Sequence, residues 1–321
     1  MTPDSAPIPV YLDCDTGIDD AVALAYLLAH PGVRLVGVGS VSGNVAAESG
    51  ARNTLGLMAA AGVGDVPVAV GAHDFLDHAF VPAAVHVHGE DGVGGVASDL
   101  PPALRAVEPG LDAAGLLLEL SRRHSGELRV LAVGPLTNLA LALRADASLA
   151  GRVHSVTVMG GAVDAPGNVS LVAEANFRND PLAAAEVLGA AWPVTLVPLD
   201  VTMSHTFDES HRQRLLSAGG ELPRLVGRML DTYLGFYTPR YGDRRCALHD
   251  PLAAALLAGD VPNPVWRHGW FDVEVEEGPD HGRVVEVELE DDRDAVRTGA
   301  VMATDDPVAE ALLERILARF G

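Results

Sequence analysis

The stretch Val10-Tyr11-Leu12-Asp13-Cys14-Asp15-Thr16-Gly17-Ile18-Asp19-Asp20-Ala21-Val22-Ala23-Leu24 decides how this chain is read. An apolar run ends in four carboxylates within the eight residues 13–20, and an Ala- and Leu-rich run follows at once. The first run reads as a strand and the second as a helix, so the acids crowd a strand-to-helix turn. Like charges this close repel, and a bound cation is the simplest compensation.

Outward from that turn, strand and helix patterns alternate. Strands are predicted at 10–13, 33–41, 66–70, 128–133, 153–159 and 194–199, and helices at 19–30, 46–61, 113–124, 136–144 and 181–190. The strands are nearly all apolar, the mark of a sheet buried on both faces. The expected fold is an α/β class domain, an open and mostly parallel sheet with helices on both faces (a Rossmann-like core). Beyond Asp200 the pattern changes to helices at 222–241 and 251–258. Strands at 270–275 and 283–289 are joined by Gly278-Pro279-Asp280; a strand at 296–304 and a helix at 307–320 follow. That predicts a C-terminal β-hairpin appendage. No linker or repeat interrupts residues 1–321, so one domain is expected.

The chain carries 22 basic and 44 acidic residues, a formal charge of −22, and every basic residue is Arg. The lack of Lys excludes Schiff-base and P-loop chemistry. Without clustered Arg, no nucleic-acid partner is expected. Cys14 and Cys246 are too far apart in sequence to suggest a thiolate zinc site. The N-terminal residues lack a signal-peptide pattern, and no apolar run is long enough to cross a membrane. A soluble, cytoplasmic protein is the expectation.

In open parallel sheets ligands bind beyond the carboxyl ends of the strands. The unusual polar residues fall there: Asp13 to Asp20, Gly43-Asn44, His86-Val87-His88-Gly89-Glu90, Gly134 to Asn138, Met159-Gly160-Gly161, Asn168, Glu174-Ala175-Asn176 and Asp200. Asp19 and Asp20 alone could cap a helix, but Asp13 and Asp15 on the same turn favour a metal site. Oxygen ligands point to Ca²⁺ or Mg²⁺. Asp13 is expected to support from behind, because alternate strand residues face opposite ways. His249-Asp250-Pro251 reads equally well as a helix cap with Pro at N1 or as an acid beside a metal ligand. His88, in a Gly-rich loop, is not expected to pack in the core. Asn168, Glu174 and Asn176 suit a polyol, although loop Asn residues are also common turn-formers. Tyr233, Tyr237 and Tyr241 fit a cover over a ligand or ordinary helix packing.

These motifs resemble the inosine–uridine-preferring nucleoside hydrolases. The likeness runs in order through Asp13 to Leu24, Gly43-Asn44, His86-Val87-His88-Gly89, Leu136-Thr137-Asn138, Met159-Gly160-Gly161, Ala173-Glu174-Ala175-Asn176 and Leu248-His249-Asp250-Pro251. The resemblance implies Ca²⁺-dependent cleavage of the N-glycosidic bond of a ribonucleoside by direct, inverting attack of a metal-bound water on C1′. It implies Ca²⁺ held by the side chains of Asp15, Asp20 and Asp250 and the backbone carbonyl of Thr137. Asp15 would double as general base and His249 would be the acid for the leaving base. Asp19, Asn44, His88, Met159, Asn168, Glu174 and Asn176 would bind substrate. A small-molecule nucleoside and a homodimer or homotetramer are the implied partners. The acidic pocket is expected to favour nucleosides over phosphorylated substrates.

Ala175 departs from the family pattern, since many members carry Phe there. Two other readings compete. Asp13-x-Asp15 also resembles the haloacid-dehalogenase phosphatase motif, with Asp13 as nucleophile beside Mg²⁺, but the downstream Lys of that family is absent. A Ca²⁺-dependent nucleoside- or ribose-binding protein without catalysis is the non-enzymatic alternative.

Overall fold

The computed structural model describes residues 6–288, 298–305 and 308–321. Its parallel strands are β1 (Ile8–Cys14), β2 (Val33–Ser40), β3 (Val68–Val70), β4 (Arg129–Ala132), β5 (Ser155–Met159) and β6 (Val194–Val197). A ribbon of β7 (Thr206–Asp208) and β8 (Arg245–Ala247) stands apart, and β9 (Val265–Val273), β10 (Val284–Val287) and β11 (Thr298–Ala303) follow. The sheet order is β10-β9-β11-β6-β5-β4-β1-β2-β3. β11 runs parallel to β6, and β9 and β10 are antiparallel. The expected hairpin is therefore present and continues the main sheet through β11. Predicted strand ends at 289 and 296, and the helix start at 307, lie outside the described residues.

Strand alternation builds both faces of the core. In β1, Val10, Leu12 and Cys14 join one apolar cluster and Tyr11 the other. The first cluster takes the helices Ile18–Ala29, Ala47–Ala60, Glu221–Tyr241, His249–Ala258 and Val308–Phe320. The second takes Ala113–Arg123, Thr137–Ala145 and Pro181–Leu188. This is the two-faced burial that near-continuous apolar strands require.

β1, β2 and β3 run one way across the sheet and β4, β5 and β6 the other, so the order reverses between β1 and β4. A crevice opens at such a reversal beyond the carboxyl ends. The turn after β1 and the turn after β4 flank it. Among the described residues, no helix is long and apolar enough to cross a membrane.

Several local expectations shift. Asp200 does not end β6; it lies in the short helix Leu199–Thr202 and accepts the Val163, Asp164 and Ala165 N–H groups at 2.7–3.0 Å. The Gly-rich segment before residue 100 contains a helical turn, Val85–His88. β7, β8 and the helix Glu209–Leu216 were not apparent, because three-residue strands show no period.

Candidate active site

Gly17 caps the helix Ile18–Ala29, and Asp20 Oδ2 accepts the Gly17 N–H at 2.7 Å. Asp20 thus does part of the capping job, with the positive helix end beside it. Its other oxygen, Oδ1, is buried without a hydrogen bond, as is Asp19 Oδ1. Asp250 arrives from the first turn of His249–Ala258. That helix is capped at Leu248 with no side-chain bond, so the cap reading of Asp250 does not hold. Ligand oxygens of Asp19, Asp20 and Asp250 lie within 4.8 Å of one another. The trio is a buried acidic cluster able to bind a metal ion.

The remaining turn acids have other partners. Asp15 Oδ2 accepts the Asn44 N–H at 2.6 Å, and Asn44 Nδ2 bridges Asp15 Oδ1 and Asp20 Oδ2, each at 3.2 Å. A Cβ on Gly43 would collide with Asp15 Oδ2, so the close approach needs glycine there. Asp13 accepts Tyr11 OH at 3.0 Å and Asn138 Nδ2 at 3.1 and 3.2 Å. Buried on these partners, Asp13 is a poor candidate for the phosphatase nucleophile. Thr137 Oγ1 donates to Asp180 Oδ2 at 2.6 Å.

Burial dominates the electrostatics. Burial first, then repulsion from Asp19, raises Asp20 to about 7. Asp15 and Asp250 are pushed well above the usual carboxylate range by burial, then by Asp20 and Asp19 respectively. A multivalent cation among these oxygens would reverse that cost.

A cavity of about 630 Å³ opens over the cluster. Its wall includes Asp19, Asn44, His88, Met159, Asn168, Glu174, Asn176, His249 and Asp250, while Asp15, Asp20 and Thr137 are buried beneath. Glu174 caps the short helix Ala175–Asn179, accepting Asn176 N at 2.8 Å, Gly161 N at 3.0 Å and Phe177 N at 3.2 Å. Burial raises it to about 7. Asn176 Nδ2 donates to the carbonyls of Val133 and Met159 at 3.0 and 3.1 Å, which leaves its amide oxygen as an acceptor. Asn168 is exposed and its Oδ1 accepts the Ala175 N–H at 3.0 Å.

His88 corrects the expectation that it would avoid the interior. It is buried, its Nδ1 accepts the Ile18 N–H at 3.1 Å, and its ring lies 5.4 Å from that of Tyr233. His249 sits between two hydroxyls, Tyr237 OH at 2.7 Å from Nε2 and Thr202 Oγ1 at 2.8 Å from Nδ1. Burial pulls its pKa down to about 4, so the imidazole is neutral at pH 7.

Tyr233 and Tyr237 both line the cavity, whereas Tyr241 OH turns away to the Met203 carbonyl at 2.8 Å. Phe75, Phe236 and Thr202 were not foreseen. Phe236 lies three residues past Tyr233, a spacing that shares its helix face; Thr202 carried no such signal.

The chain is similar to known nucleoside hydrolases. A family model described as inosine-uridine preferring nucleoside hydrolase covers residues 10–310. The probable uridine nucleosidase 2 of Arabidopsis thaliana is 35% identical over 255 residues, 79% of this chain and 78% of that protein. The inosine-uridine preferring nucleoside hydrolase of Leishmania major is 35% identical over 252 residues, 78% of this chain and 79% of that one. The solved purine-preferring ribonucleoside hydrolase from Gardnerella vaginalis superposes with a TM-score of 0.90 at 28% identity, covering 97% of this chain and 98% of that one. With a buried acidic cluster able to hold a metal ion beneath a cavity and this match across nearly its whole length, the chain belongs to the inosine-uridine preferring nucleoside hydrolase family, enzymes that hydrolyse the N-glycosidic bond of ribonucleosides.

Proposed function

We propose that this enzyme is Ca²⁺-dependent and cleaves the ribonucleoside by direct attack of water on C1′, with inversion. The observation that carries the reading is the meeting of Asp19, Asp20 and Asp250, with two buried oxygens that no hydrogen bond satisfies. Buried carboxylate oxygens without a hydrogen bond fit a hard cation better than any neutral ligand. The side chains of Asp15, Asp20 and Asp250 and the carbonyl of Thr137 would hold the ion. Bound there, Ca²⁺ supplies positive charge that acidifies and orients a water.

Asp15 takes the water proton. Its two hydrogen bonds from Asn44 fix the carboxylate without neutralising it. Asp19, Asn44, Asn168, Glu174 and Asn176 hold the ribose hydroxyls, and Met159 packs beside the ring. The acids around the ring favour the positive charge that develops on ribose as the base departs. His88 accepts a backbone N–H at Nδ1, so Nε2 carries the proton and can donate on the base side. His249 is neutral; held by Thr202 at Nδ1, it would pass a proton to the departing base through the Tyr237 hydroxyl at Nε2, with solvent in the cavity restoring that proton.

Inosine, adenosine, uridine and cytidine, each assayed for base release with and without Ca²⁺, test the reading. Release with Ca²⁺ and loss without it are expected. Nuclear magnetic resonance of the first ribose anomer tests the stereochemistry, and retention would sink direct attack.

A further inference from the structure

Asn53 is a polar residue in the middle of the helix Ala47–Ala60, and it is only 5% exposed. Asn is a poor helix former, and burying its amide costs free energy unless hydrogen bonds satisfy it. Asn53 Nδ2 makes such bonds to two separate segments. It donates to the Asp91 carbonyl at 2.8 Å and, in a longer bond, to the Thr16 carbonyl at 3.4 Å. Thr16 sits inside the acidic turn, between Asp15 and Gly17. Asp91 sits in the Gly-rich loop, three residues past His88. One side chain behind the cavity therefore ties the carboxylate turn to the segment that carries His88.

The helix is seated on the turn at more than one point. Gly50, Asn53 and Thr54 share one helix face. Thr54 Oγ1 and Thr16 Oγ1 lie 2.7 Å apart, and a Cβ on Gly50 would stand 3.5 Å from the Asp15 carbonyl carbon. The amide of Asn53 is presented from a fixed base.

The loop is closed as firmly on its own side. Asp91 Oδ1 accepts the Val93 and Gly95 N–H groups at 3.0 and 2.9 Å, and Oδ2 accepts the Ala97 N–H at 2.9 Å. The Gly94 N–H donates to the His88 carbonyl at 2.8 Å, which draws His88 into the same knot. Gly92 has a φ of 80°, and a Cβ there would come 2.7 Å from Val45 Cγ1 and 3.3 Å from the Thr16 carbonyl oxygen, so this close approach of loop to turn needs glycine. The His88 ring in turn accepts the Ile18 N–H at 3.1 Å, and a Cβ on Gly17 would meet its Nδ1 at 2.7 Å. The imidazole is held by the turn through its ring and by the loop through its backbone.

We propose that Asn53 and Asp91 are positioning residues for His88. Asp91 closes the loop into a rigid knot, and Asn53 fixes that knot at a set distance from the acidic turn. This role rests on the reading above, in which His88 contacts the substrate. Asp15 and Asp20 have bonds of their own, from Asn44 and from the Gly17 N–H, so losing Asn53 shifts His88 and leaves the cation site in place.

The test measures kcat/KM of the Ca²⁺-loaded enzyme for its preferred nucleoside, with Ca²⁺ affinity read separately by titration calorimetry. Asn53→Ala should lower kcat/KM about tenfold, the scale of one buried hydrogen bond, and leave Ca²⁺ affinity unchanged. Asn53→Leu fills the space without a donor and should not restore activity, whereas Asn53→Gln keeps the amide and should restore part of it. Asp91→Ala opens the half-buried loop and should reproduce the loss; it carries the test if the helix variants fail to fold. In a His88→Ala background, Asn53→Ala should cost nothing further, because residues that act through one group are not additive. Losses that multiply in that background, full activity in Asn53→Leu, or a weakened Ca²⁺ site with kcat/KM otherwise kept would overturn the positioning role while the nucleosidase reading stands. A wild-type enzyme that cleaves no nucleoside in the presence of Ca²⁺ overturns both.

Discussion

Tyr233 donates its hydroxyl to Asp19 Oδ2 at 2.8 Å, joining residues 214 apart in sequence. The helix Glu221–Tyr241 thereby holds one oxygen of a carboxylate in the first turn of Ile18–Ala29 and leaves the other oxygen unbound over the cavity floor. Tyr233→Phe removes the donor and frees Asp19 to rotate. Losing one partner of a buried charged acceptor costs about 1–3 kcal/mol. We expect kcat/KM for the preferred nucleoside to fall roughly ten- to a hundredfold at that cost, with circular dichroism unchanged. Wild-type kinetics in the variant would separate the Tyr233 bond from substrate binding.

Asp15 is the predicted base, and Asn44 and Gly43 fix it from one side. Asp15→Asn keeps the shape and removes the proton acceptor. Turnover should drop about 10²–10⁴-fold, the usual worth of a positioned base. Near-normal turnover would remove Asp15 from that role.

Metal removal tests the cluster as a whole. Asp19, Asp20 and Asp250 bring like charges within 4.8 Å in a buried site, an arrangement that costs stability without a counter-charge. Dialysis against a strong chelator should abolish base release and lower Tm, and added Ca²⁺ should restore both. A chelated protein with unchanged Tm and activity would show that the acids close on themselves.

How far the residues alone reveal this architecture depends on range. The turn after β1 was legible because strand, acids and helix lie in one short segment. Asp250 read equally as cap or ligand, because its meeting with Asp19 and Asp20 is made by the packing of His249–Ala258 against Ile18–Ala29, which no local pattern records. Tyr233 and Tyr237 were ambiguous because a four-residue spacing marks a helix face whether it meets core or cavity. His88 was misjudged because glycines signal a loop, whereas its burial comes from Tyr233 and the Ile18 N–H far away. Thr202 and Asp180 hold His249 and Thr137 through single side-chain bonds and gave no sign in advance.

His249 makes a leaving-group prediction. A nitrophenyl leaving group departs as an anion and needs no proton, whereas hypoxanthine does. His249→Ala should therefore reduce inosine hydrolysis roughly 10²–10⁴-fold and spare nitrophenyl riboside by comparison. Equal losses on both would assign His249 to positioning.

The last prediction concerns stability and a site away from the cavity. His30 closes the helix Ile18–Ala29; its Nδ1 accepts the Gly32 N–H at 3.1 Å, and its Nε2 lies 3.2 Å from Asp260 Oδ2. Tyr26 OH and Arg315 reach the same Asp260 oxygen at 2.7 and 2.6 Å, so two helices meet there on the segment that leaves the helix His249–Ala258. Burial lowers the His30 pKa below its ordinary value, against a smaller upward pull from Asp260. A histidine lowered in the fold favours folding above its unfolded pKa, about 6.5, and loses that contribution as pH falls through the folded value. Protonation would also break the Gly32 bond, because Nδ1 would become a donor. Tm should therefore decline as pH drops from 7 to 5, and His30→Gln, which cannot titrate, should flatten that part of the profile while lowering Tm at pH 7. Parallel profiles for the two proteins would show that other groups set the acid sensitivity.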